Sequence, residues 1–156
     1  MHTIIIDTRE QTPLDFSFYN VETCVATVKA GDYTLQGLEE FIFIERKASS
    51  GELYGNLVKN FARFTRELEK AKDCKYKYII CEFGQEVILT FPKNSGIPYY
   101  LHKSLRSAGG FFRKRIHEVE ELGFVFVYCG DPETAARRVV EIFKEIEQNE
   151  EIRHKD

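Results

Sequence analysis

No apolar run in this 156-residue chain approaches the ~20 residues that a membrane-spanning helix needs. The N-terminus, MHTIIIDTRE, has three isoleucines but neither a basic leader nor a small-residue cleavage site, so it does not read as a signal peptide. Cysteine is sparse and scattered, at Cys24, Cys74, Cys81 and Cys129. No C-x-x-C pair occurs, which removes the usual zinc-ligand spacing and leaves the plain thiols of a cytoplasmic protein. No internal repeat, low-complexity tract or linker divides the chain. What remains, at 43% hydrophobic and 30% charged residues, is ordinary for one globular domain. A chain of this length can bury a core without disulfides.

One further absence is local. From Val87 to His117 there is no Asp or Glu, while Lys93, Lys103, Arg106, Arg113, Lys114 and Arg115 lie within that window. The rest of the chain carries 16 basic and 25 acidic residues, against a net charge of −3 overall. An acidic body argues against indiscriminate coating of nucleic acid. A basic zone on it points to a local anionic partner or to a solvated basic helix face, and charge alone does not choose. His102 and His117 have no ligand-spaced partner and read as surface histidines.

The element pattern is strands, helix, strand, helix, strand, helix. Strands are expected at residues 3–7, 22–29, 33–35, 41–47, 76–83 and 124–129. Residues 10–20 read as a loop around Pro13. The strands at 33–35 and 41–47 form a hairpin across Gly37. Ser49 and Glu52 fit a capping box, and Leu53, Leu57, Phe61, Phe64, Leu68 and Ala71 then make one apolar helical stripe. A second helix is expected over about 99–122, broken near Gly109-Gly110. Asp131-Pro132 starts a third, running to about Asn149. The EEIRHKD tail, 150–156, is expected to fray. This order predicts an α/β fold, a mixed central β-sheet flanked by helices, as one domain over 1–149.

The strand FIFIERK ends in three charges. Alternation puts Glu45 and Lys47 on one face and Arg46 on the other, with about 7 Å of strand between the first two. Asp32 begins the partner strand and can lie across from Glu45. Asp7, at the end of the first strand, is a third carboxylate within reach. Carboxylates gathered at strand ends repel unless a cation joins them, and oxygen ligands in ones and twos suit Mg²⁺. Such an ion acidifies water and orients phosphate, while a nearby lysine orients water and stabilises developing charge. On spacing alone, however, the commoner explanation of Asp then Glu-x-Lys is a charged strand end in surface ion pairs.

Three segments together carry more than the spacing. Asp7-Thr8-Arg9-Glu10 follows the first strand, Gly31-Asp32-Tyr33 forms a turn, and Ile44-Glu45-Arg46-Lys47 leads into a helix. In this order they resemble the nuclease domain of the XPF-type structure-specific endonucleases, over roughly residues 3 to 130. The resemblance implies a restriction-endonuclease-like core and a Mg²⁺- or Mn²⁺-dependent cut in branched DNA, in repair or recombination. It implies metal ligation by Asp32 and Glu45, with Asp7 reaching the same place. Lys47 would be the catalytic lysine, and Asp7, Arg9 and Glu10 supporting residues of the active site. Arg46 would be structural. The family's acidic residue four after the lysine is replaced by Gly51, so Glu52 either substitutes for it or only caps the helix. The helix-hairpin-helix modules of larger members do not follow, as in the short stand-alone members of phages and bacteria. DNA grip then falls to Lys103, Arg106, Arg113, Lys114 and Arg115. Tyr99, Tyr100, Phe111 and Phe112 are candidates for stacking, although one of the two phenylalanines must face the core. The family implies a homodimer. The apolar face of the last helix (Ala135, Val139, Ile142, Phe143, Ile146) could serve it or cover the sheet, and covering is the expectation. Retention of Asp32, Glu45 and Lys47 favours catalysis over a non-catalytic DNA-binding partner. A general nuclease on the same fold is the remaining alternative.

Overall fold

The computed structural model describes residues 1–155. Six strands form one sheet: β1 (Ile4–Asp7), β2 (Thr23–Ala26), β3 (Tyr33–Leu35), β4 (Ile42–Lys47), β5 (Tyr76–Cys81) and β6 (Val125–Tyr128). Their order is β2-β1-β3-β4-β5-β6. The β1–β2, β4–β5 and β5–β6 pairs are parallel, and β1–β3 and β3–β4 are antiparallel. The sheet is therefore mixed and the fold is α/β, as the element order implies.

Alternation along β4 divides the core. Phe43 joins Ile79, Cys81 and the helices α1 (Ser50–Tyr54), α2 (Phe61–Glu69) and α4 (Gly109–Glu121) on one face. Ile42 and Ile44 join Ile4, Ile6, Tyr33 and α5 (Pro132–Lys155) on the other. Ala135, Val139, Ile142, Phe143 and Ile146 are all buried in this second layer. The apolar stripe of α5 thus covers the sheet and is not a free dimer face. The last helix, expected to end near Asn149, is longer. The helix continues to Lys155, and Glu150 accepts hydrogen bonds from Lys75 and the Tyr76 hydroxyl. Among the described residues, no helix is long and apolar enough to cross a membrane.

Two other elements differ from expectation. The stripe read as one helix is three pieces: α1, a π-helical turn (Gly55–Lys59) and α2, with Asn60 (φ −122°, ψ 38°) at the last junction. The extra residue in the turn keeps Leu57 and Phe64 buried but moves Phe61 outward. The helix expected over 99–122 is a 3₁₀ helix (Tyr99–Leu105) followed by α4. A short helix α3 (Gln85–Leu89) was not legible in the sequence.

Candidate active site

The chain reaches Asp32 through Gly31, whose φ of +85° and close approach to β4 exclude a side chain. A Cβ there would lie 2.7 Å from the Ile44 carbonyl oxygen. The Asp32 N–H donates to that carbonyl (2.7 Å), and Asp32 Oδ2 accepts the Arg46 N–H (2.7 Å). A side chain thus takes the place of a ladder carbonyl at the end of β3–β4, and this pins Asp32 beside Glu45. Lys47 is 5% exposed. Its Nζ lies 3.0 Å from Glu45 Oε1 and 3.5 Å from Glu52 Oε1, with the Phe64 ring beneath it.

The charges of this cluster are unbalanced. Burial first, and the Glu45 charge second, push the Asp32 carboxyl above the usual range. Burial also raises Glu45, against the pull of Lys47. Burial works most strongly against the Lys47 ammonium, but the charge and hydrogen bond of Glu45 together with the charges of Glu52 and Asp32 outweigh it, and the pKa is raised. Lys47 remains charged, and two half-buried carboxylates still repel. One oxygen of each is engaged. The second oxygens of Asp32 and Glu45 are the pair that a hard cation could take, with water and a phosphate completing its shell. Among the described residues, no group of three or more His, Cys, Asp or Glu forms a larger metal cage.

Asp7 does not join that pair. It lies at the end of β1, and its N–H donates to the Asp32 carbonyl (2.9 Å). Asp7 Oδ1 accepts the Val28 N–H (2.9 Å), and Oδ2 accepts both the N–H (3.2 Å) and Nε–H (2.8 Å) of Arg9. Burial opposes its charge, yet these donors hold its pKa below the usual value. Both oxygens are therefore engaged, Oδ1 by Val28 and Oδ2 by Arg9, which sets Asp7 apart from Asp32 and Glu45, with which it was expected to share the metal. Glu10 is held by partners outside the carboxylate pair. It accepts from the Tyr33 hydroxyl (2.7 Å) and from Arg46 Nε (2.9 Å), and Arg46 also reaches Glu82 (3.2 Å). Arg46 is the structural arginine that alternation implies, and Glu10 supports the site through it.

Glu52 caps the helix and also lies beside Lys47. It completes the helix start, with its N–H donating to Ser49 Oγ (3.1 Å) and its Oε2 accepting the Ala48 N–H (3.2 Å). Its other oxygen faces Lys47. Position 51 cannot carry the acid, because a Cβ there would meet the Ser95 carbonyl oxygen at 2.6 Å.

A cleft of about 350 Å³ opens over Glu45 and Lys47, lined also by Arg9, Asn56, Asn60 and Arg63. The last three come from the π-helical turn and the start of α2. Sequence reading missed them because a regular helix would place this stretch differently. Helices interrupted by such a turn often carry functional groups there. The basic window splits. Lys103, Arg106, Arg113 and Lys114 are exposed, whereas Arg115 is folded in between Phe61 (3.9 Å) and Phe111 (4.7 Å) and paired with Glu118 (2.8 Å). Arg115 therefore leaves the set of free phosphate contacts. Phe112 is a core residue, and Phe111 is part exposed over Arg115. His117 is on the surface, but His102 is half-buried with Nε2 2.8 Å from the Ile97 carbonyl.

No family model and no curated protein matches the chain. Among solved structures, XPF from Aeropyrum pernix superposes with a TM-score of 0.68, over 97% of this chain and 69% of that one, at 17% identity. The chain has the XPF-type nuclease fold. A second XPF structure from Aeropyrum pernix, a complex with DNA, gives a TM-score of 0.60 at 20% identity, over 96% of this chain and 66% of that one. The chain thus spans about two thirds of the length of each XPF chain. In this fold the Asp32–Glu45–Lys47 cluster sits at the end of the β3–β4 hairpin, under the broken helix that follows it.

Proposed function

We propose that the protein is a metal-dependent DNA endonuclease that hydrolyses phosphodiester bonds at branched DNA, such as flaps, forks or junctions. The observation that carries the reading is the Asp32–Glu45–Lys47 cluster, a buried lysine beside two half-buried carboxylates, in an XPF-type fold. A further support is that one structure of this fold is a complex with DNA. Asp32 and Glu45 would hold Mg²⁺ or Mn²⁺, which supplies an acidified water and offsets charge on the phosphate. Lys47, fixed between Glu45 and Glu52, orients the attacking water and stabilises the charge that develops on the non-bridging oxygens. Attack in line with the leaving oxygen breaks one P–O ester bond and leaves a phosphomonoester and a hydroxyl end. Arg9, steadied by Asp7, and Arg63 meet phosphates at the cleft. Lys103, Arg106, Arg113 and Lys114 add salt-dependent contacts to the backbone. The proposal includes a homodimer through a surface other than the apolar face of α5. Sedimentation at micromolar concentration should show a species of twice 18.2 kDa, and a monomer alone would contradict the dimer.

The test is cleavage of labelled flap, fork, four-way junction, linear duplex and single-stranded DNA, each with Mg²⁺, Mn²⁺ or EDTA. Metal-dependent cutting confined to branched substrates is the expected result. Equal cutting of every substrate would reduce the proposal to a general nuclease. Binding without cutting in either metal would overturn it in favour of a non-catalytic partner.

A further inference from the structure

The 3₁₀ helix Tyr99–Leu105 buries none of its seven residues. Tyr99 is 86% exposed and Tyr100 80%. Two adjacent rings this exposed contribute nothing to the core, and an exposed aromatic patch is a mark of a binding surface. They border a cleft of about 660 Å³ between this helix and Pro92-Lys93, with His102, Lys103 and Arg106 also along it. No side chain lining the cleft is acidic. The volume is ample for a small ligand or a short stretch of chain.

We propose that this cleft binds an unpaired DNA strand, with Tyr99 and Tyr100 stacking on bases and Lys93, Lys103 and Arg106 meeting the phosphates. Stacking on aromatic rings beside a positive groove is the general way of holding single strands without reading sequence. A duplex hides its base faces, so the tyrosines would serve only an unpaired segment. The cleft is also fixed to the candidate active site. The Gly51 N–H donates to the Ser95 carbonyl (2.9 Å), just past Lys47 and Ser49. From that loop, the Ile97 carbonyl is held by His102 of the 3₁₀ helix. One short loop therefore separates the stacking surface from the helix start that carries Glu52. The inference rests on the endonuclease reading and deepens it. A single-strand site at a set place beside the cutting centre would give preference for a branch over a plain duplex.

The experiment measures fluorescence anisotropy in EDTA, where no cutting occurs, with a 12-nucleotide single strand and a 12-base-pair duplex. It compares the full chain with Tyr99→Ala/Tyr100→Ala. The double variant should lose about 10-fold or more in single-strand affinity and less than about 2-fold on duplex, since each stacked base is worth roughly 5- to 150-fold. Quenching of 2-aminopurine placed in the strand should disappear with the tyrosines. Lys93→Glu/Lys103→Glu/Arg106→Glu should lower the salt slope for the single strand by about 2. Equal losses on both DNAs, unchanged single-strand affinity, or tighter binding of the matching RNA would overturn the proposal. So would a change in sedimentation of the DNA-free double variant, which would assign the tyrosines to a second copy of the chain. A wild type that binds the single strand through the tyrosines but never cuts would overturn the endonuclease reading and leave this site standing.

Discussion

Lys47 stands between Glu45 and Glu52 at 3.0 and 3.5 Å, and among the described residues it is the only cation in an ion pair with either of the half-buried carboxylates of Asp32 and Glu45. In metal-free protein, burial above all puts the pKa values of Asp32 and Glu45 above those of the unfolded chain. A raised carboxylate keeps its proton in the folded state after the unfolded state has lost it. Stability from this source is greatest below the ordinary carboxylate range, and it falls as pH rises from about 4 towards the raised values. Asp32→Asn removes one charge and keeps an acceptor for the Arg46 N–H. In EDTA it should melt at least about 2 °C above the parent at pH 8 and much closer to it at pH 5, as followed by circular dichroism. A variant that melts lower at pH 8 would show that the Asp32 charge is balanced by groups other than a bound cation. Arg46 is the opposite case, since it is satisfied by Glu10 and Glu82. Arg46→Met should cost about 3–5 kcal/mol in urea denaturation by leaving both carboxylates without their cation. Alternation along IERK made the opposed roles of Lys47 and Arg46 legible. The place of Asp7 was not legible, because Val28 and Arg9 claim its oxygens from a loop whose path no local pattern encodes.

The helix after β4 decides what faces the site. Its apolar stripe was readable, and Leu53, Leu57, Phe64, Leu68 and Ala71 are buried as the period implies. The break into α1, a π-helical turn and α2 was not readable, because Phe61 keeps the apolar period while its ring turns out to meet Arg115. Gly51 shows how a distant loop sets a local choice. Ser95 and Ile97 pack so closely over it that the acid moves to Glu52. Gly51→Asp, which restores an acid four residues after the lysine, should therefore destabilise the protein by about 1–3 kcal/mol and should not raise cleavage. Stable folding with higher activity would contradict this account of the helix start.

At the scale of the whole molecule, the acid-free window gives two surfaces and one half-buried, paired arginine. Arg113 and Lys114 lie on the exposed side of α4, whereas Arg115 is closed in by Phe61, Phe111 and Glu118. Arg113→Glu/Lys114→Glu should weaken duplex binding and reduce the salt slope by about 2, with no change in melting temperature. Arg115→Glu should instead lower the melting temperature, and equal melting of the two variants would contradict the division. Charge counting could find the window but not this split, since only packing shows which arginine is enclosed. The mixed sheet with helices on both faces was legible from element order alone, and the XPF-type fold agrees with it. The central claim is that the Asp32–Glu45–Lys47 cluster performs the cut, and single-turnover cleavage of a labelled fork by wild type and Lys47→Ala in Mg²⁺ tests it most directly. The account predicts a loss of about 10²-fold or more in rate with fork affinity within a few-fold of wild type. A Lys47→Ala rate equal to wild type would contradict it, as would a loss matched by an equal loss of binding.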